Sequence, residues 1–199
     1  MNKKLVLIDG HSLFHRAFHA LPPFRSPKGD VVNAVYGFLS VLLKTIKDIE
    51  PEYIVATFDL ATKTFRHKEY EDYKGHREAA PEEMHNQLPI LKKVLEVFGI
   101  PVYEAEGFEA DDVIGTVTEL VKAGGDTQVI ILTGDLDTLQ LVDNNKVLVS
   151  TPKKGVSDVF LYDEEAVIQR FELRPDQMID FRGLKGDPSD NIPGVPGVG

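Results

Sequence analysis

The sequence has no cysteine. That excludes disulfides, thiolate nucleophiles, zinc fingers and iron–sulfur clusters, and it agrees with a reducing cytoplasmic setting. It has no apolar run near the ~20 residues of a membrane span, so no membrane partner is expected. The opening MNKKLVLIDG carries an apolar stretch that stops at Asp9, too short for the core of a secretory signal. No internal repeat or low-complexity tract is present. Positive charge is scarce: 22 Lys and Arg stand against 32 acids, giving a net charge of −10. Taken alone, that argues against nucleic-acid binding, which usually leaves a basic footprint.

What is present is an ordinary globular composition, 42% apolar and 27% charged over 199 residues. This suits one domain, or one domain and a fragment of another, with its own core. Short apolar runs at Leu5–Ile8, Ile54–Phe58, Val102–Tyr103 and Val129–Leu132 read as strands. Helical periods lie between them, over Ala34–Ile49, Pro81–Phe98 and a stripe at Val113, Ile114, Val117, Leu120 and Val121. Pro89 predicts a kink or break in the second of these. Val147–Thr151 and Val156–Tyr162 flank a KKG turn and suggest a hairpin. Short helices are expected around Glu164–Phe171 and Pro175–Leu184. The β-α-β-α alternation implies an α/β fold, a mostly parallel sheet with helices on both faces.

Three of the expected strands end in aspartate, at Asp9, Asp59 and Asp135. In an open parallel sheet, ligands bind beyond the carboxyl ends of the strands, so these side chains should converge at one edge. Each alone could be a turn former; three after apolar runs favour a site. EGFEADD adds Glu109, Asp111 and Asp112 at a helix start, where the helix dipole is a simpler explanation. Yet Glu109 and Asp112 share a face, and Asp111 sits beside them. GDLD adds Asp137, and the GDPSDN loop adds Asp187 and Asp190. These nine acids account for nine of the ten net negative charges. An all-oxygen cluster without His or Cys selects Mg2+ or Mn2+ over zinc. So many carboxylates suggest two ions, about 4 Å apart as in phosphodiester hydrolases.

Two basic segments border these acids. His11 to Gly29 has no acid and holds Arg16, Arg25 and Lys28 among three histidines and three phenylalanines. The segment TKTFRHKEYEDYKGHR holds Lys63, Arg66, Lys68, Lys74 and Arg77, interleaved with Phe65, Tyr70 and Tyr73. Cations position phosphates and aromatic faces stack on bases; a solvated charged face is the plainer alternative. Because each segment follows a strand-end aspartate, the anionic field can be local and metal-neutralised while the docking surface stays positive.

VLIDGHSLFHRAFHAL, VATFDLATKTFRH, YKGHR, GFEADDVIG, TGDLDTLQLV and GLKGDPSDNIPGVPGVG occur in this order. Together they resemble the 5′-nuclease domains of the bacterial DNA polymerase I type, in the flap endonuclease family. The resemblance runs from Lys4 to Gly199. It implies a PIN-like core over residues 1–184, with a helical arch region at 62–90. It also implies two divalent ions and cleavage of DNA 5′ flaps or 5′ ends at single-strand/double-strand junctions in replication and repair. Asp9, Asp59, Glu109 and Asp111 are expected around one ion, and Asp111, Asp135, Asp137 and Asp187 around the other. Asp112 and Asp190 would act through water. Lys74 and Arg77 would contact the scissile phosphate, Tyr73 would stack on a base, and Arg66 matches another basic position of that region. Arg16, Lys63 and Lys68 are expected to contact DNA.

Residues 185–199 resemble the opening of a helix-hairpin-helix-type duplex-binding module. There Gly194, Gly197 and Gly199 would grip backbone phosphates, with K+ bound when the module is whole. The rest of that module and any polymerase domains are absent from this chain, so duplex binding is expected to be weakened. Three departures from the family pattern stand out: Leu136 in place of a basic residue, and His11 and His15 in place of Asn and Tyr. A monomer in the bacterial cytoplasm, associated with the nucleoid, is the expectation. Two other readings are a PIN-type ribonuclease and a non-catalytic branched-DNA-binding module. The arch segment and the Gly/Pro-rich tail speak against the first, and the full set of acids against the second.

Overall fold

A computed structural model describes residues 3–77, 79–153 and 159–198. The sheet starts with β1 (Lys3–Asp9), which leads directly into α1 (Gly10–Ala20). A long helix, α2 (Asn33–Ile49), returns the chain to β2 (Tyr53–Thr57). Then come the short α3 (Phe65–Glu69) and α4 (Glu82–His85), α5 (Leu88–Val97) and β3 (Val102–Tyr103). The second half carries α6 (Ala110–Gly124), β4 (Thr127–Leu132), β5 (Val147–Pro152), β6 (Val159–Tyr162), α7 (Glu164–Phe171) and α8 (Met178–Lys185). A two-stranded ribbon of β7 (Gly186–Asp187) and β8 (Ile192–Pro193) follows.

The six-stranded sheet has the order β3-β2-β1-β4-β5-β6, parallel except for β6. The central strands are apolar on both faces, and their alternation divides the core in two. Val6, Ile8, Ile130 and Leu132 pack with Phe14, Phe38, Leu42, Leu91 and Leu95 of α1, α2 and α5. Leu5, Leu7, Val129 and Ile131 face Ile114, Val167 and Met178 of α6, α7 and α8. Each such fully buried aliphatic side chain contributes about 1.5–3 kcal/mol. The fold is therefore an α/β arrangement with helices on both faces of a mostly parallel sheet, as the strand and helix pattern implies. Among the described residues, no helix is long and apolar enough to cross a membrane.

The structure refines several boundaries. The helical period over Pro81–Phe98 is divided at Asn86–Gln87 into α4 and α5, and Pro89 sits in the first turn of α5, where its missing N–H costs nothing. Gln87 fills the break: buried, it accepts from the Ala34 backbone N–H and donates to Asn33. The segment from Pro175 begins as a 3-10 turn before α8. The expected arch region at 62–90 holds α3, a run of turns at 71–76, α4 and the start of α5 among its described residues. The β5–β6 hairpin forms, while Val156 and its turn, like Gly199, lie outside the described residues. Helix α1 buries Gly10, Leu13, Phe14 and Ala17, spaced i, i+3, i+4 and i+7 on one face. It is held because Gly10 lets the backbone lie on the Phe58 ring, where a Cβ would fall 2.4 Å from a ring carbon.

Candidate metal centre

β1, β2 and β4 run in parallel, so their carboxyl ends open on one side. A cleft of 740 Å³ lies there. Eight of the nine singled-out acids line it: Asp9, Asp59, Glu109, Asp111, Asp135, Asp137, Asp187 and Asp190. Lys74, Arg77, Arg16, His11 and His15 line it too.

Each acid is placed by its local backbone. Asp9 is the last residue of β1 and the N-cap of α1, accepting from Ser12 N–H at 3.1 Å. Its other oxygen accepts from Thr133 Oγ1 at 2.7 Å, and Thr133 in turn accepts from Asp135 N–H at 2.9 Å. Asp59, just past β2, accepts from Ala110 N–H at the start of α6 at 2.7 Å, so the positive end of that helix faces it. The Asp59 N–H donates to His11 Nδ1 at 2.9 Å. Glu109 is the N-cap of α6, and Asp111 occupies its first turn. Asp137 opens a 3-10 turn, its N–H donating to Asp135. Asp187 caps the turn at 188–190, accepting from Ser189 N–H and Oγ at 2.8 and 2.6 Å.

The ninth acid departs from expectation. Asp112 does not line the cleft. Its carboxylate takes a bidentate pair from Arg66 at 2.7 and 2.8 Å and closes a capping box on the Glu109 N–H at 2.9 Å. Sharing a face with Glu109 makes it a cap and an arginine partner instead of a member of the cleft wall. Burial pulls its pKa up, but Arg66 and the cap hold it below the ordinary carboxylate range, and Arg66 is raised in return.

Tyr73 is also not where a base-stacking residue would be. Its ring is 4% exposed, and its hydroxyl lies 2.9 Å from both Glu109 Oε2 and Asp190 Oδ2. Burial, then the bond to Asp190, pushes the phenol far above its usual pKa, keeping it a donor. Lys74, at a left-handed φ of 56°, pairs with Glu109 at 3.0 Å. Arg77 pairs with Asp190 at 2.5 Å. The arm carrying YKGHR thus lies across the cleft, fastened to the 189–191 turn. Arg16 lines the cleft and donates to the Pro152 and Lys153 carbonyls at 2.7 and 2.5 Å. Lys63 and Lys68 are exposed and lie outside the cleft wall. Gly194 stands where a Cβ would be 2.2 Å from the Lys185 carbonyl oxygen, so its lack of a side chain closes the ribbon onto α8. Gly197 takes the left-handed position of the Val195–Val198 turn.

The strand-end acids repel one another. Loss of hydration in the crowded cleft, then the charges of Asp9, Asp135 and Asp59, push Asp111 up to about 8, although its side chain still reaches solvent. Burial, opposed by the bonds from Thr133 and Ser12, pushes Asp9 up to about 6. Burial and Asp135 push Asp137 up to about 6 against Arg182 of α8, which pairs with it. Arg182 is the functional neighbour that sequence reasoning missed; a lone cation in a weakly patterned helix gives no signal. Asp187 is buried in part, but Ser189 and Arg182 hold its pKa down. Among the described residues, no three His, Asp or Glu side chains stand close enough to enclose an ion in this arrangement. The acids line the walls, apart, as uncompensated like charges do. The donor set is all oxygen, and its raised pKa values mark a deficit of positive charge, so the residues fit a hard divalent cation.

A mostly parallel sheet whose strand-end carboxylates share one cleft with a helix N-terminus defines the class: an α/β domain with a hard-cation site at the carboxyl ends of its strands. The family described as 5′-3′ exonuclease, N-terminal resolvase-like domain, matches residues 4–172, and the chain belongs to it. It is 46% identical to DNA polymerase I of Bacillus caldotenax, over 100% of this chain and 22% of that protein. It is 48% identical to DNA polymerase I of Chloroflexus aurantiacus, over 98% of this chain and 21% of that protein. The chain thus spans about a fifth of the length of these relatives. The fold is similar to bacteriophage T5 flap endonuclease crystallised with DNA and metal ions (TM-score 0.76, 23% identity, 99% of this chain, 71% of that one). It is also similar to human GEN1 in complex with Holliday junction DNA (TM-score 0.59, 18% identity, 99% of this chain, 47% of that one).

Proposed function

We propose that this chain is a divalent-metal-dependent 5′ nuclease that hydrolyses DNA phosphodiesters at 5′ flaps and 5′ ends. The observation that carries this is the cleft, in which eight carboxylates on strand ends, helix starts and one loop face one another with too few cations to neutralise them. Family membership supplies the reaction class. Residues 1–184 form the catalytic core in this reading, and 185–199 open a duplex-binding module.

Asp9, Asp59, Glu109 and Asp111 would hold one ion, and Asp111, Asp135, Asp137 and Asp187 a second. When bound, Mg2+ or Mn2+ supplies Lewis-acid activation of water and neutralises charge on the phosphodiester. The chain's own residues do the rest. Thr133 and Ser12 N–H hold the Asp9 carboxylate, and the α6 N-terminus holds Asp59. Lys74 and Arg77 already stand at the cleft, each on a carboxylate partner. Exchanging those carboxylates for a phosphate oxygen would place two cations on the substrate. Tyr73 supports the arm through its hydroxyl and does not stack. Asp112 keeps Arg66 and the α6 cap in place.

The test is a 5′-labelled flap duplex incubated in magnesium, in EDTA, and with Asp111→Asn in magnesium. Cutting near the junction by the unmodified chain in magnesium alone is expected. Binding of the flap without cutting would favour a junction-binding module. Cutting of an equivalent RNA strand in preference to DNA would favour a PIN-type ribonuclease.

A further inference from the structure

Helix α1 carries a second group of side chains with metal chemistry, of a different kind from the carboxylates. His15 and His19 are one helical turn apart, at the i, i+4 spacing that puts two imidazoles on one face. Their Nε2 atoms face each other at 3.3 Å, with ring centroids 4.4 Å apart. Both residues are exposed, and the His19 ring is held edge-on to Phe18 at 5.2 Å. A tetrahedral zinc ion with two Zn–N bonds of about 2.0–2.1 Å spans an N···N separation of about 3.3–3.4 Å. The pair therefore already has the separation that one ion requires. Without an ion, the same geometry is a weak imidazole–imidazole hydrogen bond.

We propose that His15 and His19 form a binding site for a borderline divalent ion such as zinc, nickel or copper(II), separate from the carboxylate centre. Imidazole pairs favour these metals, whereas the all-oxygen cleft favours magnesium and manganese. The chain would then carry two cation sites of opposite preference. Among the described residues no third His, Asp or Glu completes the site. The remaining coordination positions fall to water or to an anionic oxygen supplied by a ligand. Because His15 also lines the cleft, an ion on the pair would sit at the cleft rim. This inference does not depend on the nuclease reading.

Zinc chloride is titrated calorimetrically into the full chain in saturating magnesium, and likewise into Asp111→Asn, so that zinc taken up by the carboxylates is distinguished from zinc on the histidine pair. The unmodified chain, His15→Gln and His19→Gln are compared, with circular dichroism confirming that each variant is folded. A zinc-binding event that persists in Asp111→Asn is expected, with at least about tenfold weaker affinity in either histidine variant. Copper(II) should give an electron paramagnetic resonance spectrum with coupling to two nitrogens, reduced to one or none in either variant. Zinc binding that is lost in saturating magnesium, or that is unchanged in both variants, would overturn the proposal.

Discussion

The cleft has two walls, and they treat negative charge in opposite ways. On the strand-end wall, burial first and then neighbouring carboxylates drive the pKa values of Asp9, Asp111 and Asp137 up to about 6, 8 and 6. On the wall facing the arm, Glu109 and Asp190 are paired with Lys74 and Arg77, and behind that wall Asp112 is paired with Arg66. The acids are chemically alike; the difference lies in how far the chain's own cations offset burial and neighbouring charge, for Asp137 is raised even with Arg182 beside it. Where the chain supplies cations, the acids organise structure. Where it supplies too few, the site is short of positive charge, and a cation from solution is the means of relieving it.

The largest effect should come from the strand-end wall. Asp111→Asn is expected to slow flap cleavage at least about a thousandfold, because it removes a ligand proposed to serve both ions. The same variant should melt higher than the unmodified chain in EDTA at pH 9, since it relieves repulsion. A lower melting temperature there would show that Asp111 supports the fold. The opposite wall should respond in stability: Arg66→Met leaves Asp112 and Glu109 without their guanidinium. A loss of roughly 1–2 kcal/mol in urea unfolding is expected for this partly exposed pair.

A pH series sharpens the contrast. Raised carboxylate pKa values mean the folded state holds more protons than the unfolded chain. Their stabilising contribution is whole below about pH 4 and is lost as pH rises through about 6 and then 8. In EDTA the melting temperature should carry a downward component over that window, and saturating magnesium should flatten it. The smallest effect is expected for Arg77→Ala, whose exposed pair with Asp190 is worth less than about 1 kcal/mol. It should leave the melting temperature nearly unchanged while slowing cleavage, a split that calorimetry and single-turnover rates together resolve.

The strands of the sheet and the convergence of its aspartates were legible in the sequence because apolar runs ending in acid carry both signals at once. Helix α1 was not: its stripe of Leu13, Phe14 and Ala17 is masked by the histidines and arginine of its exposed face, and its seat depends on Gly10 meeting Phe58, a contact distant in sequence. Asp112 shows the limit of spacing arguments. Its i, i+3 relation to Glu109 was correct, but a capping box uses the same spacing as a shared metal face, and Arg66 from a distant segment decides between them. Tyr73 was misplaced for a similar reason: an aromatic in a basic segment reads as a stacking surface until Glu109 and Asp190 claim its hydroxyl. Arg182 is invisible until α8 packs beside Asp137.

The central claim is that the strand-end carboxylates are a cation site and not a charged surface. Thermal unfolding at pH 8, with and without magnesium, tests it most directly in the unmodified chain and in Asp111→Asn. Magnesium should raise the melting temperature of the unmodified chain by several degrees and leave Asp111→Asn nearly unmoved. An unmodified chain that melts at the same temperature in magnesium and in EDTA would contradict the account.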